Sequence, residues 1–396
     1  MTATGVTAQA PPPAWSAVFS DGTVRRSGDG APVFTLRLPS EAALQRLLAT
    51  DAYSAAMAFI RGEFDVEGDL VAAIRLKGWQ PRSRIRARLF AAIARCATAF
   101  QSAFQSKAQT ARNIRFHYDR SNDFYRLFLD PRMVYSCAYF QTPEATLEEA
   151  QLAKLDHVCR KLDLQPGDRL LDIGCGWGSL LAHAASRYGA NATGCTLSRA
   201  QYEYASPRAQ VLERDYRDLT GQYDKIASIG MFEHVGLRRA PQYFRKMAGL
   251  LAPGGLFLNH AIARPQSLGD DAASLFVRRK IFPGGQFIHL SETIRAAEDA
   301  GFEVLDVENL RPHYARTCRL WEERLTGNRE AALRLVDEPT FRTWRIWLAA
   351  SLLNFEEGSS SVYQILMAKL GAPRRRLTRE YVYSAGPPGP PTRPDS

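Results

Sequence analysis

Three glycines at alternate positions follow an acid in the run Asp172-Ile-Gly-Cys-Gly-Trp-Gly178. Glycine lets a backbone take positive φ and pass close to a ligand. The run closes a short apolar segment, 169–173, that reads as a strand, and opens a helical segment that runs to Tyr188. Free amides at the start of such a helix meet the polar groups of a ligand. Doubly wound sheets bind their ligands at this end of a strand. A dinucleotide site asks for Gly-x-Gly-x-x-Gly; Gly174-x-Gly176-x-Gly178 has another spacing, the one used for S-adenosylmethionine.

Many proteins with such a turn place an acid after the second strand to hold ribose hydroxyls. Here Gly194-Cys-Thr-Leu-Ser-Arg-Ala-Gln201 stands there, so Thr196 and Gln201 are the polar groups on offer. Asp215 follows the third strand, on the side where adenine lies. The helix between them must be short, because Pro207 ends it early.

These residues need a sheet to position them. From about 111 the pattern alternates strands and helices, which implies a parallel sheet. Strands are expected at 169–173, 191–196, 209–213, 223–229, 254–261, 302–308 and near 361–368. The helix-rich stretch 313–357 reads as a cap over the sheet's edge. Before all this, 15–77 forms a small α/β unit with a period-two strand at 33–38. A helix follows at 41–49 with Ser40 as N-cap and Glu41 in its first turn. A second helix, 52–61, ends near Gly62. A turn-rich strand over 62–68 and a helix to about Lys77 complete the unit. Residues 78–110 form a basic, mostly helical connector, 111–385 the main domain, and 1–14 and 386–396 tails too rich in Pro and Gly to pack.

A chain of 396 residues allows a large and a small domain, each with its own core. No apolar run approaches the roughly 18 residues of a membrane span, and the N-terminus lacks the pattern of a signal peptide. Six cysteines without CxxC spacing speak against structural zinc or a disulfide framework and suit a reducing compartment. His289, Glu292 and His313 are not spaced as a metal site, so no metal is expected. The net charge of +10 suits an anionic partner, either nucleic acid or an anionic membrane leaflet. Basic stretches stand at Arg82, Arg84, Arg86 and Arg88, at 278–280, and at 374–376.

Several separate motifs resemble the cyclopropane-fatty-acyl-phospholipid synthase family. They are His117-Tyr-Asp-Arg-Ser-Asn-Asp-Phe-Tyr125, Tyr135-Ser-Cys-Ala-Tyr-Phe140, Gly194-Cys-Thr-Leu-Ser, Asp215-Tyr-Arg-Asp-Leu219, Met231-Phe-Glu-His-Val-Gly236, Ile281-Phe-Pro-Gly-Gly285 and His313-Tyr-Ala-x-Thr317. The resemblance covers roughly 110–370, and the first hundred residues resemble the family's N-terminal lipid-associated domain. It implies an α/β fold: a doubly wound, Rossmann-like class I methyltransferase sheet with a helical cap. It also implies an enzyme that passes a methyl group from S-adenosylmethionine to a cis double bond of a phospholipid acyl chain. Loss of a proton then closes a cyclopropane ring. Bicarbonate would serve as the anion and proton acceptor, cradled by Cys137, Glu233, His260, the backbone of Ile262, and Tyr314. Tyr135, Ser136, Asp172, Gly174, Gly176, Gly178, Thr196, Leu197, Gln201, Asp215 and Tyr216 would hold the cofactor. His117, Tyr118 and Asp119 would fix the segment that closes over it.

An alkene is a weak nucleophile, so the reaction needs a dry, close alignment and aromatic faces for the migrating positive charge. Tyr135, Tyr139, Phe140, Trp177 and Phe232 are the rings available. The expected partner is unsaturated phospholipid at the inner face of an anionic membrane, reached peripherally from the cytoplasm, with a homodimer also implied by the resemblance. Three other readings compete: a lipid C-methyltransferase leaving a methyl or methylene branch, a non-catalytic lipid-binding protein on the same scaffold, and a nucleic-acid methyltransferase. No Asn/Asp-Pro-Pro-aromatic run supports the last, so no nucleic-acid partner is expected.

Overall fold

A computed structural model describes residues 13–76, 107–118, 121–265, 276–373 and 377–383. The two basic clusters at 82–88 and 374–376, almost all of the connector and tails, and the side chain of His117 lie outside the described residues.

Two sheets organise the chain. The small one has the order β2-β1-β3-β4, with β1 Trp15–Phe19, β2 Val24–Ser27, β3 Phe34–Leu38 and β4 Asp65–Gly68. Helices α1 (Glu41–Ala49), α2 (Ala52–Ile60) and α3 (Leu70–Leu76) accompany it. Ser40 caps α1 as expected, its side chain accepting from Ala43 N. Strand β1 was not legible, because four of its five residues are buried and no alternation marks them.

The large sheet contains β5 (Arg169–Ile173), β6 (Asn191–Thr196), β7 (Gln210–Glu213), β8 (Tyr223–Ile229), β9 (Leu251–Ala263), β10 (Phe302–Asn309) and β11 (Ser361–Lys369). Their order is β10-β11-β9-β8-β5-β6-β7. Strands β5 to β9 run parallel. Strand β11 is inserted antiparallel to both β9 and β10, so the sheet is mixed and not parallel throughout. The reversal follows from the connection: β10 and β11 are joined by a long helical excursion instead of one crossover helix, and the right-handed crossover rule then does not apply. The chain leaves β5 for β6 and β7 on one side and returns to β8 on the other. Residues after β5 and β8 therefore face the same crevice.

The remaining helices are α4 (Lys107–Tyr118), α5 (Asn122–Arg126), α6 (Leu147–Lys161), α7 (Ser179–Tyr188), α8 (Arg199–Ala205), α9 (Ala240–Leu250), α10 (Leu290–Glu298), α11 (Arg311–Gly327), α12 (Arg329–Leu333), α13 (Glu338–Glu356) and α14 (Glu380–Tyr383). The excursion α11–α13 packs against both the small lobe and the aromatic residues of the main domain. Helix α13 is buried on nearly every face, the mark of a helix enclosed by other layers. Its Ile346 meets the small lobe, while Trp344 and Trp347 meet the aromatic residues of the main domain. Arg342 fastens the two: it donates to the carbonyls of Phe59 (3.1 Å) and Phe64 (3.2 Å) and to Asp65 Oδ2 (2.9 Å). One apolar cluster runs from Trp15 and Phe59 through α13 to Phe124, Tyr125 and Trp177. The small lobe thus shares its core. A unit of about 60 residues buries too little surface to stand easily alone.

Candidate active site

The glycine turn sits at the carboxyl end of β5. Gly174, Gly176 and Gly178 all have left-handed φ (78°, 54° and 83°). The amides of Gly174 and Cys175 both donate to Cys195 O at 3.0 Å, which lays the turn along β6. A Cβ on Gly174 would stand 2.9 Å from Met231 Cγ, beyond the end of β8. Gly174→Ala therefore meets both backbone strain, about 1–2 kcal/mol, and a clash at the cleft floor. We expect it to weaken S-adenosylmethionine binding at least about tenfold and to lower the melting temperature, read by calorimetric titration and thermal unfolding.

Above the turn lies a cleft with about 1140 Å³ of space, part of it open to solvent. Tyr135, Ser136, Asp172, Gly174, Gly176, Thr196, Leu197, Gln201, Asp215 and Tyr216 all line it. Gly178 lies just behind, as the N-cap of α7. Thr196 Oγ1 donates to Gln201 Oε1 at 2.8 Å, so the two groups standing where a ribose acid is usual form one polar unit. Helix α8 is short, as Pro207 requires. Asp215 is held by Arg217 through Nε (2.8 Å) and Nη2 (2.6 Å).

Asp172 is buried, and its Oδ1 has no partner among the described residues. Burial pushes its carboxyl up to about 7, against the pull of the Lys154 ammonium. An orphaned buried carboxylate oxygen beside a glycine turn fits the ammonium group of an amino-acid cofactor such as S-adenosylmethionine.

The second group of residues comes together on the ends of β8, β9 and α11. Cys137 is fully buried with Leu310 and Val362, and Tyr139, Ile262 and Tyr314 pack against them. Burial pushes the Cys137 thiol far up; it points to the carbonyls of Ala138 (3.2 Å) and Leu310 (3.8 Å) and stays protonated. Glu233 lies in the 3-10 turn Phe232–His234 after β8. Its Oε1 accepts from Ile262 N at 2.8 Å, and its Oε2 is buried without a partner among the described residues. The Ile262 amide is thus engaged by Glu233 in this structure. Burial raises the Glu233 carboxyl to about 7 and lowers His260, two residues before Ile262 on β9, to about 3. His260 Nε2 is likewise buried and has no partner among the described residues. Tyr314 stacks on Phe355, with ring centroids 4.5 Å apart.

Two of the motifs resolve into one contact. Helix α11 presents His313 and Thr317 to the segment after Val134: Phe140 N donates to His313 Nδ1 (3.0 Å) and Ala138 N to Thr317 Oγ1 (3.1 Å). From the other side, Gln151 Nε2 donates to Ser136 O (2.9 Å) and Lys154 Nζ to Ser136 Oγ (3.0 Å). Cys137 is gripped between two helices that are distant in sequence.

The rings divide. Tyr135 and Trp177 line the cleft, joined there by Tyr118. Trp177 is fixed by a bond from Nε1 to Asn122 Oδ1 (2.8 Å). Phe232 instead packs on Tyr243 and Phe244 in the core behind the sheet, and Phe140 carries the Arg316 guanidinium 4.3 Å above its ring. Tyr139 stacks between His157 (4.2 Å) and His313 (4.8 Å). Sequence reasoning missed Lys154 and His234, which both line the cleft, and Gln364, bonded to His260. Helical spacing made Lys154 look like one more polar position; nothing local marks a lysine that is buried. No group of His, Cys, Asp and Glu among the described residues is arranged to hold a metal.

The strand order, the glycine turn at the switch point and the cleft above it define a class I methyltransferase fold. Residues 105–365 match the family described as mycolic acid cyclopropane synthetase, and the chain belongs to that family of S-adenosylmethionine-dependent methyltransferases and cyclopropane synthases. It is 42% identical to a probable fatty acid methyltransferase of Pseudomonas putida, over 79% of this chain and 81% of that one. It is 37% identical to cyclopropane mycolic acid synthase MmaA2 of Mycobacterium tuberculosis, over 65% of this chain and 96% of that one. The crystal structure of mycolic acid cyclopropane synthase CmaA1 complexed with SAH and CTAB superposes with a TM-score of 0.63 at 35% identity, covering 65% of this chain and 98% of that one.

Proposed function

We propose that the protein transfers a methyl group from S-adenosylmethionine to the cis double bond of unsaturated phospholipid acyl chains and closes a cyclopropane ring there. The observation that carries this reading is the pair of buried polar atoms without partners among the described residues, Glu233 Oε2 and His260 Nε2; Glu233 is bonded to Ile262, which packs with Cys137 and Tyr314. Leaving such groups unpaired costs about 1–3 kcal/mol each, and a small hydrogen-bonding anion between them would satisfy both.

When bound, S-adenosylmethionine supplies the methyl group, and bicarbonate would supply a proton acceptor. The chain supplies the rest. Tyr118, Tyr135 and Trp177 exclude water from the cleft and present ring faces to positive charge. Glu233 titrates near neutral pH, so its Oε2 can donate toward an anion when protonated and can give up that proton during turnover. His260 stays neutral and offers one ring N–H. The Cys137 thiol fills apolar space and is not a nucleophile, because burial keeps it protonated.

Charge favours access to lipid, and among the described residues no helix is long and apolar enough to cross a membrane. The net charge of +10 favours an anionic leaflet, and vesicle binding should fall as salt rises. Part of the 278–280 cluster is already engaged, with Arg279 5.8 Å above the Tyr53 ring of α2.

The test is direct. Purified protein, S-adenosylmethionine and vesicles of unsaturated anionic phospholipid should yield acyl chains heavier by one CH2 with high-field cyclopropane protons. The same mass with methyl-branch signals would make the protein a lipid C-methyltransferase, a reading favoured by its likeness to the Pseudomonas putida protein. Unchanged chains on every lipid would end both.

A further inference from the structure

Residues on neighbouring strands form a row across the sheet beneath this pair. In register, His260 of β9 lies opposite Gln364 of β11, and Gln364 lies opposite Glu308 of β10. Directly paired residues project to the same face. Gln364 is wholly buried, and its Nε2 lies 3.2 Å from His260 Nδ1. At the outer end, Glu308 Oε2 is hydrogen-bonded to His157 Nε2 at 2.7 Å and ion-paired with Lys161 Nζ at 2.6 Å. Gln364 Oε1 is buried without a partner among the described residues, so the contact to His260 through Nε2 is the hydrogen bond this amide makes among them. The Gln364 N–H remains with the imidazole.

We propose that Gln364 is a positioning residue that holds Nδ1 of His260 as an acceptor and so keeps the single ring proton on the buried Nε2, which has no partner among the described residues. A neutral imidazole carries one N–H, and the partner of one nitrogen decides which nitrogen has it. A carboxylate at position 364 would demand the proton on Nδ1 and leave Nε2 an acceptor. An amide that donates does the reverse. The ring thereby becomes a hydrogen-bond donor toward the site shared with Glu233, where an anion has to be received and not repelled. The inference deepens the reading of the Glu233–His260 pair given above and rests on it.

The tautomer is read by nitrogen NMR on protein labelled with 15N-histidine, without lipid or cofactor, the His260 signals being assigned by their loss in His260→Gln. Wild type should show a protonated, pyrrole-type Nε2 and an unprotonated, pyridine-type Nδ1. Gln364→Glu should exchange the two, and Gln364→Leu should give a mixture. In vesicle assays Gln364→Glu should lower kcat about 10–100-fold, as for other partners that orient a histidine, with KM for S-adenosylmethionine unchanged. A proton on Nδ1 in wild type overturns the proposal, even if Gln364→Glu fails to fold. So does an exchanged tautomer with unchanged kcat. If wild type proves inactive on lipid, the proposed function fails, while the spectrum still decides the tautomer.

Discussion

Glu233→Gln should bind S-adenosylmethionine as wild type does and turn over about 10²–10⁴-fold more slowly, the range by which a positioned acid or base contributes to a rate. The side chain does not line the cofactor cleft, and its volume is conserved. Its Oε1 position, now the amide oxygen, still accepts from Ile262 N. What is lost is the proton on Oε2: the amide presents an N–H of fixed protonation in place of an acid that titrates near neutrality.

Stability should move the other way. Burial raises the Glu233 carboxyl from 4.5 to about 7. A folded pKa above the unfolded one means that the group leaves stability undiminished below about 4.5. It costs stability as pH rises, and the cost stops growing once pH has passed the folded value of about 7. The full cost, on the order of 3 kcal/mol at about 1.4 kcal/mol per pH unit, is removed by the amide. Glu233→Gln should therefore unfold at higher denaturant than wild type at pH 8, with the gap narrowing toward pH 5. A variant with full activity, or one less stable than wild type at pH 8, would remove Glu233 from the role proposed for it. Slower turnover joined to greater stability is what a buried group kept for chemistry predicts.

The parts of this site that were legible in the sequence are those written in local signals. Strands β5, β6 and β8 fall at the expected residues because short apolar runs are bounded by turns, and the three glycines mark the crevice because side-chain-bearing residues rarely adopt their φ. The direction of β11 was not legible, since it depends on how a helical excursion returns to the sheet. Nor was the shared core, because a helix buried on nearly every face does not announce its neighbours. Phe232 shows the limit within a motif: it sits beside Glu233, yet the 3-10 turn sends the ring behind the sheet and the carboxyl to Ile262. Gln364 and His260 lie 104 residues apart, and only strand register makes them partners.

The same row makes the second large prediction, at its outer end. Lys161 is 1% exposed and bridges Asp306 Oδ2 (3.0 Å) and Glu308 Oε2 (2.6 Å). Burial would push the Glu308 carboxyl up, but the His157 hydrogen bond and the Lys161 charge together pull it down to about 2. Lys161→Met keeps the apolar stem and removes the charge. Two carboxylates are then left close together at the sheet edge, answered among the described residues by His157 and Arg379. Breaking a buried ion pair from one side costs about 3–5 kcal/mol, and we expect that loss at pH 7 by denaturant unfolding. A depressed carboxyl gives stability that is present above its unfolded value near 4.5 and is lost as pH falls toward 2. The difference between wild type and Lys161→Met should accordingly be largest at neutral pH and shrink steadily below about pH 4.5, where the stranded carboxylates take up protons in the variant first. A pH-independent difference would mean that packing of the lysine stem, and not its charge, holds α6 to β10.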